Sequence, residues 1–325
     1  MTSTRRRPKG EGRTARARKL GVVILSRNAK LYSTRRLAEA ARRLGHAPRV
    51  LDTLRCDLIL ARDQARLYYR GEELEPRDMH VAIPRIGASI TIYGLAVVNQ
   101  LDLMGVPVLA SATPLARSRD KLRALQLLSR FGIDIPRTAM CRYREEVPAA
   151  VEMVGGLPCI IKLTRGTQGV GVMIASSMAE VQGMLDTLWT LGQEIILQEL
   201  VAESRGKDVR ALVVGDRVVA AMRRTAKAGE FRSNIHRGGE AAALQLPREF
   251  AEAAVKATRV MGLEVAGVDM LEARTGPKIM EVNSSPGFEG LERVTGLDVA
   301  SLYVAHAVEF GHARTTIQGG GHLSA

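Results

Sequence analysis

The sequence predicts a chain that begins as an open α/β sheet and continues as α+β lobes with antiparallel strands. Residues 20–115 alternate short apolar runs with helix-length amphipathic segments, and from Ile195 onward strand-like runs follow one another across tight turns. Strands that alternate with helices build open, largely parallel sheets, whereas strands in direct succession pair as antiparallel meanders. No apolar run approaches the roughly 20 residues needed to span a membrane.

Taken in order, Val22-Val23-Ile24-Leu25 is a short buried strand. Ser33 opens a helix with Leu37, Ala40, Ala41 and Leu44 on one face and Gly45 at its end. Val50-Leu51 continues as a strand, Arg66 to Leu74 forms a hairpin turning at Gly71, and Met79 to Ile83 is another strand. Ser89 to Met104 reads as a helix and Val106 to Leu109 as a third buried strand. Pro84-Arg85-Ile86-Gly87 follows a strand end, the edge where sheets of this kind bind ligands. A helix from about Ala116 to Arg130 turns Leu122, Leu125 and Leu128 inward, leaves Lys121 on the opposite flank, and stops at Gly132 and Pro136.

Cys159 to Leu163 is a strand leading into Gly166-Thr167-Gln168-Gly169-Val170-Gly171. That loop departs from a dinucleotide GxGxxG and is followed by a strand, Val172 to Ala175, so it reads as a hairpin. Glycines let main-chain amides approach phosphate oxygens, but glycine hairpins are more often plain turns. Ser177 and Glu180 form a capping box for a helix reaching Trp189. Ile195 to Leu200 is a strand, and Asp208 to Val214 meets Val218 to Met222 across a Gly215-Asp216 turn. Glu249 to Met261 and Ala300 to Phe310 are helices, with a loose glycine-rich end expected from Gly311.

Composition narrows the function classes. The chain has 325 residues, 46% hydrophobic and 25% charged, with a net charge of +13. Eight Lys or Arg and Glu11 in residues 1–19 make that tail +7, leaving +6 for the other 306 residues. The tail has no apolar core like that of a secretory signal. It reads as a disordered extension that either touches RNA phosphates or only aids solubility. Aromatic residues make up 4% of the chain, which argues against a base-stacking surface. Three cysteines without a CxxC pair and six scattered histidines argue against disulfides and zinc and suit a reducing cytoplasm.

One stretch carries chemistry on its own. Val265 to Leu271 and Pro277 to Val282 flank a turn at Arg274-Thr275-Gly276-Pro277. A hairpin centred near Thr275 sets Asp269 opposite Glu281, and strand alternation puts Glu281 and Asn283 on one face. Facing carboxylates repel, and a hard divalent cation with oxygen ligands removes that cost. A solvated hairpin with scattered acids meets the same spacing, so the hairpin alone leaves both readings open. The basic run from Arg223 to Arg237 reads by itself as a solvated loop.

The motifs gain weight from their order: Ser118-Arg119-Asp120-Lys121-Leu122, Lys162 with Gly166-Thr167-Gln168-Gly169, Gln198-Glu199, and Asp208-Val209-Arg210. Phe231-Arg232-Ser233-Asn234 with His236-Arg237-Gly238-Gly239, Val265 to Asp269, and Met280 to Gly287 complete the series. Over residues 20–310 this series resembles the ATP-grasp superfamily, and in detail its RimK-type glutamate ligases. The resemblance implies an ATP-grasp fold with a Rossmann-like pre-ATP-grasp domain at 20–115, a central lobe at 116–194 and a C-terminal lobe at 195–311. A disordered basic tail at 1–19 and a flexible tail at 312–325 flank them, and ATP lies between the two α+β lobes.

The same resemblance implies roles. Lys121 and Lys162 meet the phosphates, with Gly166, Thr167, Gln168 and Gly169 closing over them. Gln198, Glu199 and Leu200 hold adenine and ribose, and Asp208 lies at the ribose edge. Asp269, Glu281 and Asn283 bind magnesium or manganese, two ions per site, while Arg224, Arg232 and Asn234 address the transferred phosphate and the carboxylate. The implied reaction adds L-glutamate to the C-terminus of a small-subunit ribosomal protein through an acylphosphate, releasing ADP and phosphate. A cytoplasmic homo-oligomer, such as a tetramer, and a contact of the tail with ribosomal RNA belong to that expectation. The alternative is the same chemistry on a small-molecule cofactor or on an amino-group carrier protein of lysine biosynthesis. A nucleotide- or RNA-binding protein that has lost catalysis fits poorly, because Lys121, Lys162, Asp269, Glu281 and Asn283 are all present. Ser284 in place of Ala and Thr225 in place of a basic residue depart from the family pattern and bear on the acceptor.

Overall fold

The computed structural model describes residues 19–62, 64–164, 171–227 and 239–319. The glycine loop with Gly166, Thr167, Gln168 and Gly169, the segment holding Arg232 and Asn234, the basic tail up to residue 18 and the last six residues lie outside that set.

The N-terminal unit contains β1 (Gly21–Leu25), α1 (Tyr32–Arg43), β2 (Ala47–Leu51), β3 (Cys56–Ala61), β4 (Gln64–Tyr69), β5 (Glu72–Glu73), β6 (Val81–Pro84) and α2 (Thr91–Leu103). A three-stranded parallel sheet runs β2-β1-β6. Val22 to Leu25 are all buried, as a central strand covered on both faces requires. The third strand expected at Val106 to Leu109 reduces to one bridge, Ala82 to Val108. Strands β3, β4 and β5 form a separate antiparallel sheet, in which β3 adds a strand to the expected hairpin.

The helix expected from Ala116 to Arg130 is two helices, α3 (Ala112–Arg119) and α4 (Lys121–Arg130). Asp120 breaks it, because its carboxylate accepts the Arg123 N–H at 3.1 Å and caps α4. Lys121 thereby becomes a first-turn residue facing the interior cavity rather than a flank of a continuous helix.

The next elements are β7 (Thr138–Ala139), α5 (Val147–Met153), β8 (Cys159–Leu163), β9 (Val172–Ala175), α6 (Met178–Thr190) and β10 (Ile195–Glu199). Their sheet runs β7-β10-β8-β9, all antiparallel. Strand β10 therefore belongs to the central lobe, and a boundary at residue 195 falls too early. Its bonds to β8 decide this, and a strand's partner is not visible in its own sequence. The Ser177 cap forms as expected, with its Oγ accepting the Glu180 N–H at 3.2 Å.

The C-terminal lobe holds β11 (Lys207–Val214), β12 (Arg217–Thr225), β13 (Glu240–Ala243), α7 (Arg248–Met261), β14 (Val265–Ala273), β15 (Gly276–Asn283), α8 (Glu289–Thr295) and α9 (Val299–Gly319). Its five-stranded sheet runs β13-β12-β11-β14-β15. Helix α9 continues well beyond Phe310, so the expected loose end from Gly311 and flexible tail from residue 312 begin too early. Gly311 is instead a close approach, since a Cβ there would stand 2.8 Å from the His80 carbonyl oxygen.

Burial explains how the lobes are joined. One face of the C-terminal sheet packs Val209, Ala211, Val213, Val268 and Met270 against α7, in a core that extends to Leu25, Leu51 and Leu101 of the N-terminal unit. The other face joins Leu212, Val214 and Met222 to Phe288, Tyr303 and α1. The central lobe has its own core around Val151, Cys159, Ile161, Leu185 and Leu197. The cleft lies where this separate core meets the fused pair.

Candidate active site

A cavity of about 1510 Å³ is lined by all three units. The β14–β15 hairpin forms one wall. Its closing pair is Ala273 with Gly276, so the turn is centred between Arg274 and Thr275. Unbroken pairing from that turn would set Asp269 against Met280. A bulge leaves Met280 without a partner and restores the pairs Asp269–Glu281 and Gly267–Asn283. The expected opposition of the two carboxylates is present, but the bulge produces it. Gly267 lets the following loop fold back, since a Cβ would stand 2.8 Å from the Pro286 Cβ.

Asp269 is 3% exposed and held by two arginines. Arg210, its direct cross-strand neighbour on β11, donates Nε and Nη2 to the two carboxylate oxygens at 2.6 Å each. Arg224 reaches Asp269 with Nη2 at 3.0 Å and donates Nε to Asp208 at 2.5 Å. Burial alone would raise the Asp269 pKa, but Arg210 and Arg224 outweigh it and hold the carboxyl down at about 2. The same carboxylates, outweighing burial, raise the Arg224 pKa. Arg210 carried no role in the sequence reading. The available signal was its position two residues after Asp208, which places both on one face of a strand.

Glu281 is different. It accepts no hydrogen bond from the described residues, and burial followed by the Asp269 charge pushes its pKa up. Asn283 Nδ2 and Ser285 Oγ nearby are buried without partners among the described residues. The opposite wall is cationic. Lys162 is buried on β8 and donates Nζ to Gln198 Oε1 at 2.5 Å, and Gln198 in turn donates to Thr138. Burial, with the Lys121 charge, pulls the Lys162 pKa down to about 8 against the pull of Glu281. Burial also lowers Lys121 and Arg119, again opposed by Glu281. Arg119 donates Nη2 to the Ile86 carbonyl, and Ser118 Oγ lies 2.7 Å from Ser284 Oγ.

Glu199 and Leu200 line the cavity at the end of β10. The Glu199 carboxylate takes the Arg137 N–H and Lys278 Nζ, each at 2.9 Å, and these outweigh burial to lower its pKa. The structure thus brings Lys121, Lys162, Gln198, Glu199, Leu200, Asp208, Arg224, Asp269, Glu281 and Asn283 to one cavity.

Comparison with known proteins decides the family. The model of the RimK-like ATP-grasp domain matches residues 118–306, and that of the RimK PreATP-grasp domain matches residues 20–115. The chain belongs to the RimK-like ATP-grasp family. A probable alpha-L-glutamate ligase of Ectopseudomonas mendocina is 48% identical over 301 residues, covering 92% of this chain and 99% of that protein. One from Rhodopirellula baltica is 51% identical over 292 residues, covering 89% and 72%. The solved structure of the ATP-grasp ligase PsnB complexed with a minimal precursor shares the fold, with a TM-score of 0.71 at 21% identity over 90% of this chain and 99% of that one.

As a RimK-like ATP-grasp ligase, the chain is an ATP-dependent enzyme that joins a carboxylate to an amine and uses magnesium. The donor set fits such an ion. Among the described residues no cluster of three or more His, Cys, Asp or Glu side chains assembles. Two carboxylates and an amide remain on one hairpin, and an oxygen-preferring cation suits them. Glu281 takes no hydrogen bond from the described residues, which suits it to a cation, and Asp269 Oδ1, which accepts only Arg210 Nε among them, keeps a further lone pair, whereas Oδ2 is taken by Arg210 and Arg224. No helix among the described residues is long and apolar enough to cross a membrane.

Proposed function

We propose that this ligase adds glutamate to the C-terminus of a small-subunit ribosomal protein, in the cytoplasm. The observation that carries the chemistry is Glu281, which takes no hydrogen bond from the described residues, lies beside Asp269 and shares one cavity with Lys121 and Lys162. Support for glutamate comes from relatives named probable alpha-L-glutamate ligase at 48% and 51% identity. Support for the acceptor comes from the +13 charge, which suits an acidic growing chain on an RNA-rich partner.

A carboxylate is a poor electrophile until its oxygen is made a leaving group. The γ-phosphoryl group of ATP passes to the acceptor carboxylate, and the amine of glutamate displaces phosphate from the acylphosphate to form the amide. Lys121 and Lys162 bear on phosphate oxygens, and the loop with Gly166, Thr167, Gln168 and Gly169 covers them. Gln198, Glu199 and Leu200 border adenine and ribose, with Asp208 at the ribose edge. Asp269, Glu281 and Asn283 would hold magnesium, which when bound would neutralise charge on the phosphates. Arg210 and Arg224 keep Asp269 ionised, and Arg232 and Asn234 address the substrate carboxylate. A second ion, manganese in place of magnesium, and a homo-oligomer such as a tetramer belong to the same proposal.

Incubating enzyme, ATP and glutamate with purified small ribosomal subunits should yield a ladder of glutamyl additions on one protein by intact mass. Unmodified subunits, with ADP release stimulated instead by a metabolite or carrier protein, would overturn the ribosomal acceptor. Removing residues 1–19 should weaken subunit association at low salt. Equal association with and without them sinks the RNA contact.

A further inference from the structure

The segments that follow the three parallel strands of the N-terminal unit, loops after β1 and β2 and the first turn of α2 after β6, all reach the cleft. Arg27 and Leu31 follow β1, Leu54 follows β2, and Ile92 and Tyr93 follow β6, and all of them line the same cavity as Lys162 and Glu281. Open α/β sheets bind ligands at the carboxyl ends of their strands, so this edge is the part of the unit suited to recognition. No role assigned so far uses it.

Its chemistry is specific. Leu31 is 53% exposed, Leu54 44%, Ile92 90% and Tyr93 38%. Exposed apolar side chains on the lining of one cavity suit an interaction site rather than a core. The rim is also held in place: Asp52 accepts the Leu54 N–H at 3.2 Å, and Tyr93 donates its hydroxyl to the Cys56 carbonyl at 2.6 Å. Exposed Arg27 and Arg293 line the same cavity, with Glu289 as an opposing charge. A free amino acid such as glutamate has no apolar body to cover Ile92.

We propose that this edge docks the acceptor as a polypeptide, with an apolar side chain against Leu31, Leu54, Ile92 and Tyr93 and its acidic terminus drawn past Arg27 and Arg293 toward the phosphates. The proposal rests on a polypeptide C-terminus being the acceptor, but not on that polypeptide being ribosomal. A second copy of this chain, itself basic, lacks the complementary charge.

The test uses two fluorescein-labelled synthetic peptides ending in glutamates, one with leucine a few residues upstream and one with serine there. Anisotropy with full-length protein and a non-hydrolysable ATP analogue should give the leucine peptide a Kd about tenfold lower. Leu54→Ser with Ile92→Ser should abolish that preference, and a thermal melt unchanged from the wild type would show that the fold is intact. Arg27→Glu should weaken both peptides together, with the loss shrinking at high salt. Equal affinities on the wild-type protein, binding of neither peptide, or a leucine preference that survives the double variant would overturn the docking edge. Discrimination between peptides alongside unmodified ribosomal subunits would uphold the edge and reject only the ribosomal acceptor.

Discussion

Two arginine–carboxylate networks sit at the ends of the β14–α8 segment, and they are completed to different degrees. Beyond the hairpin, Glu292 on α8 accepts Tyr32 Oη at 2.6 Å, Arg36 Nε at 2.9 Å, Arg36 Nη2 at 3.2 Å and the Ala300 N–H at 3.0 Å. Asp298 takes Arg36 at 2.9 Å and Arg43 at 2.7 Å. Every carboxylate oxygen there is satisfied, and Arg36, Tyr32 and the Ala300 N–H outweigh burial to hold the Glu292 pKa down. In the cleft, Asp269 is similarly satisfied, but Glu281 beside it takes no hydrogen bond from the described residues and its pKa is pushed up. The closed network clasps α1 of the N-terminal unit to α8. Among the described residues the open one leaves the Glu281 carboxylate facing a cavity without a hydrogen-bond donor, the arrangement that the proposed cation site calls for.

The sharpest way to break this contrast is to remove each acid. Glu281→Gln and Asp269→Ala should each lower ADP release by roughly a thousandfold, the several kcal/mol that a metal contributes at a phosphoryl centre. They should differ in stability. Asp269→Ala strands partly buried Arg210 and leaves Arg224 with Asp208 alone, and should cost about 3–5 kcal/mol in urea unfolding, whereas Glu281→Gln should leave the metal-free protein unchanged or more stable. Equal destabilisation would remove the distinction between a structural and a waiting carboxylate.

Next in size, Glu292→Ala should destabilise by about 1–3 kcal/mol, because Tyr32 and the Ala300 N–H lose their acceptor and Arg36 keeps only Asp298 and Glu39 in a partly exposed site. Its effect on ATP affinity, read by calorimetry, should stay within about twofold. A large loss of ATP affinity would mean that the clasp belongs to the site. Arg210→Lys keeps the charge but loses the two-pronged grip on Asp269. Magnesium affinity should fall about tenfold, and full affinity would reduce Arg210 to packing.

A pH slope gives a further check on the cationic wall. Lys162 titrates near 8 in the folded protein, below its ordinary 10.5. A depressed folded pKa contributes stability that is present above the unfolded value and lost as pH falls through the folded one. The ligand-free protein should therefore gain stability between pH 8 and 10.5, and Lys162→Met should flatten that rise. A bound phosphate ligand should flatten it too, by holding Lys162 charged.

Local pattern made much of this legible. The periodicity of α1 and α7, the Ser177 cap, the Gly215-Asp216 turn and the carboxylates of the last hairpin all depend on neighbours a few residues away. The order of motifs from Ser118 to Gly287 was enough to recognise the family. Long-range pairing settled the rest. Strand β10 joined the central sheet, Asp120 divided a helix and turned Lys121 inward, and the bulge at Met280 corrected a misplaced turn centre. Arg210 met Asp269 and Arg36 met Glu292 across separations of 59 and 256 residues. Sequence by itself determined which residues had the chemistry for ATP and a cation, because that chemistry belongs to single side chains. Only the tertiary structure decided which charges were already spent on one another and which were left facing the cavity, because charges cancel through distance in space.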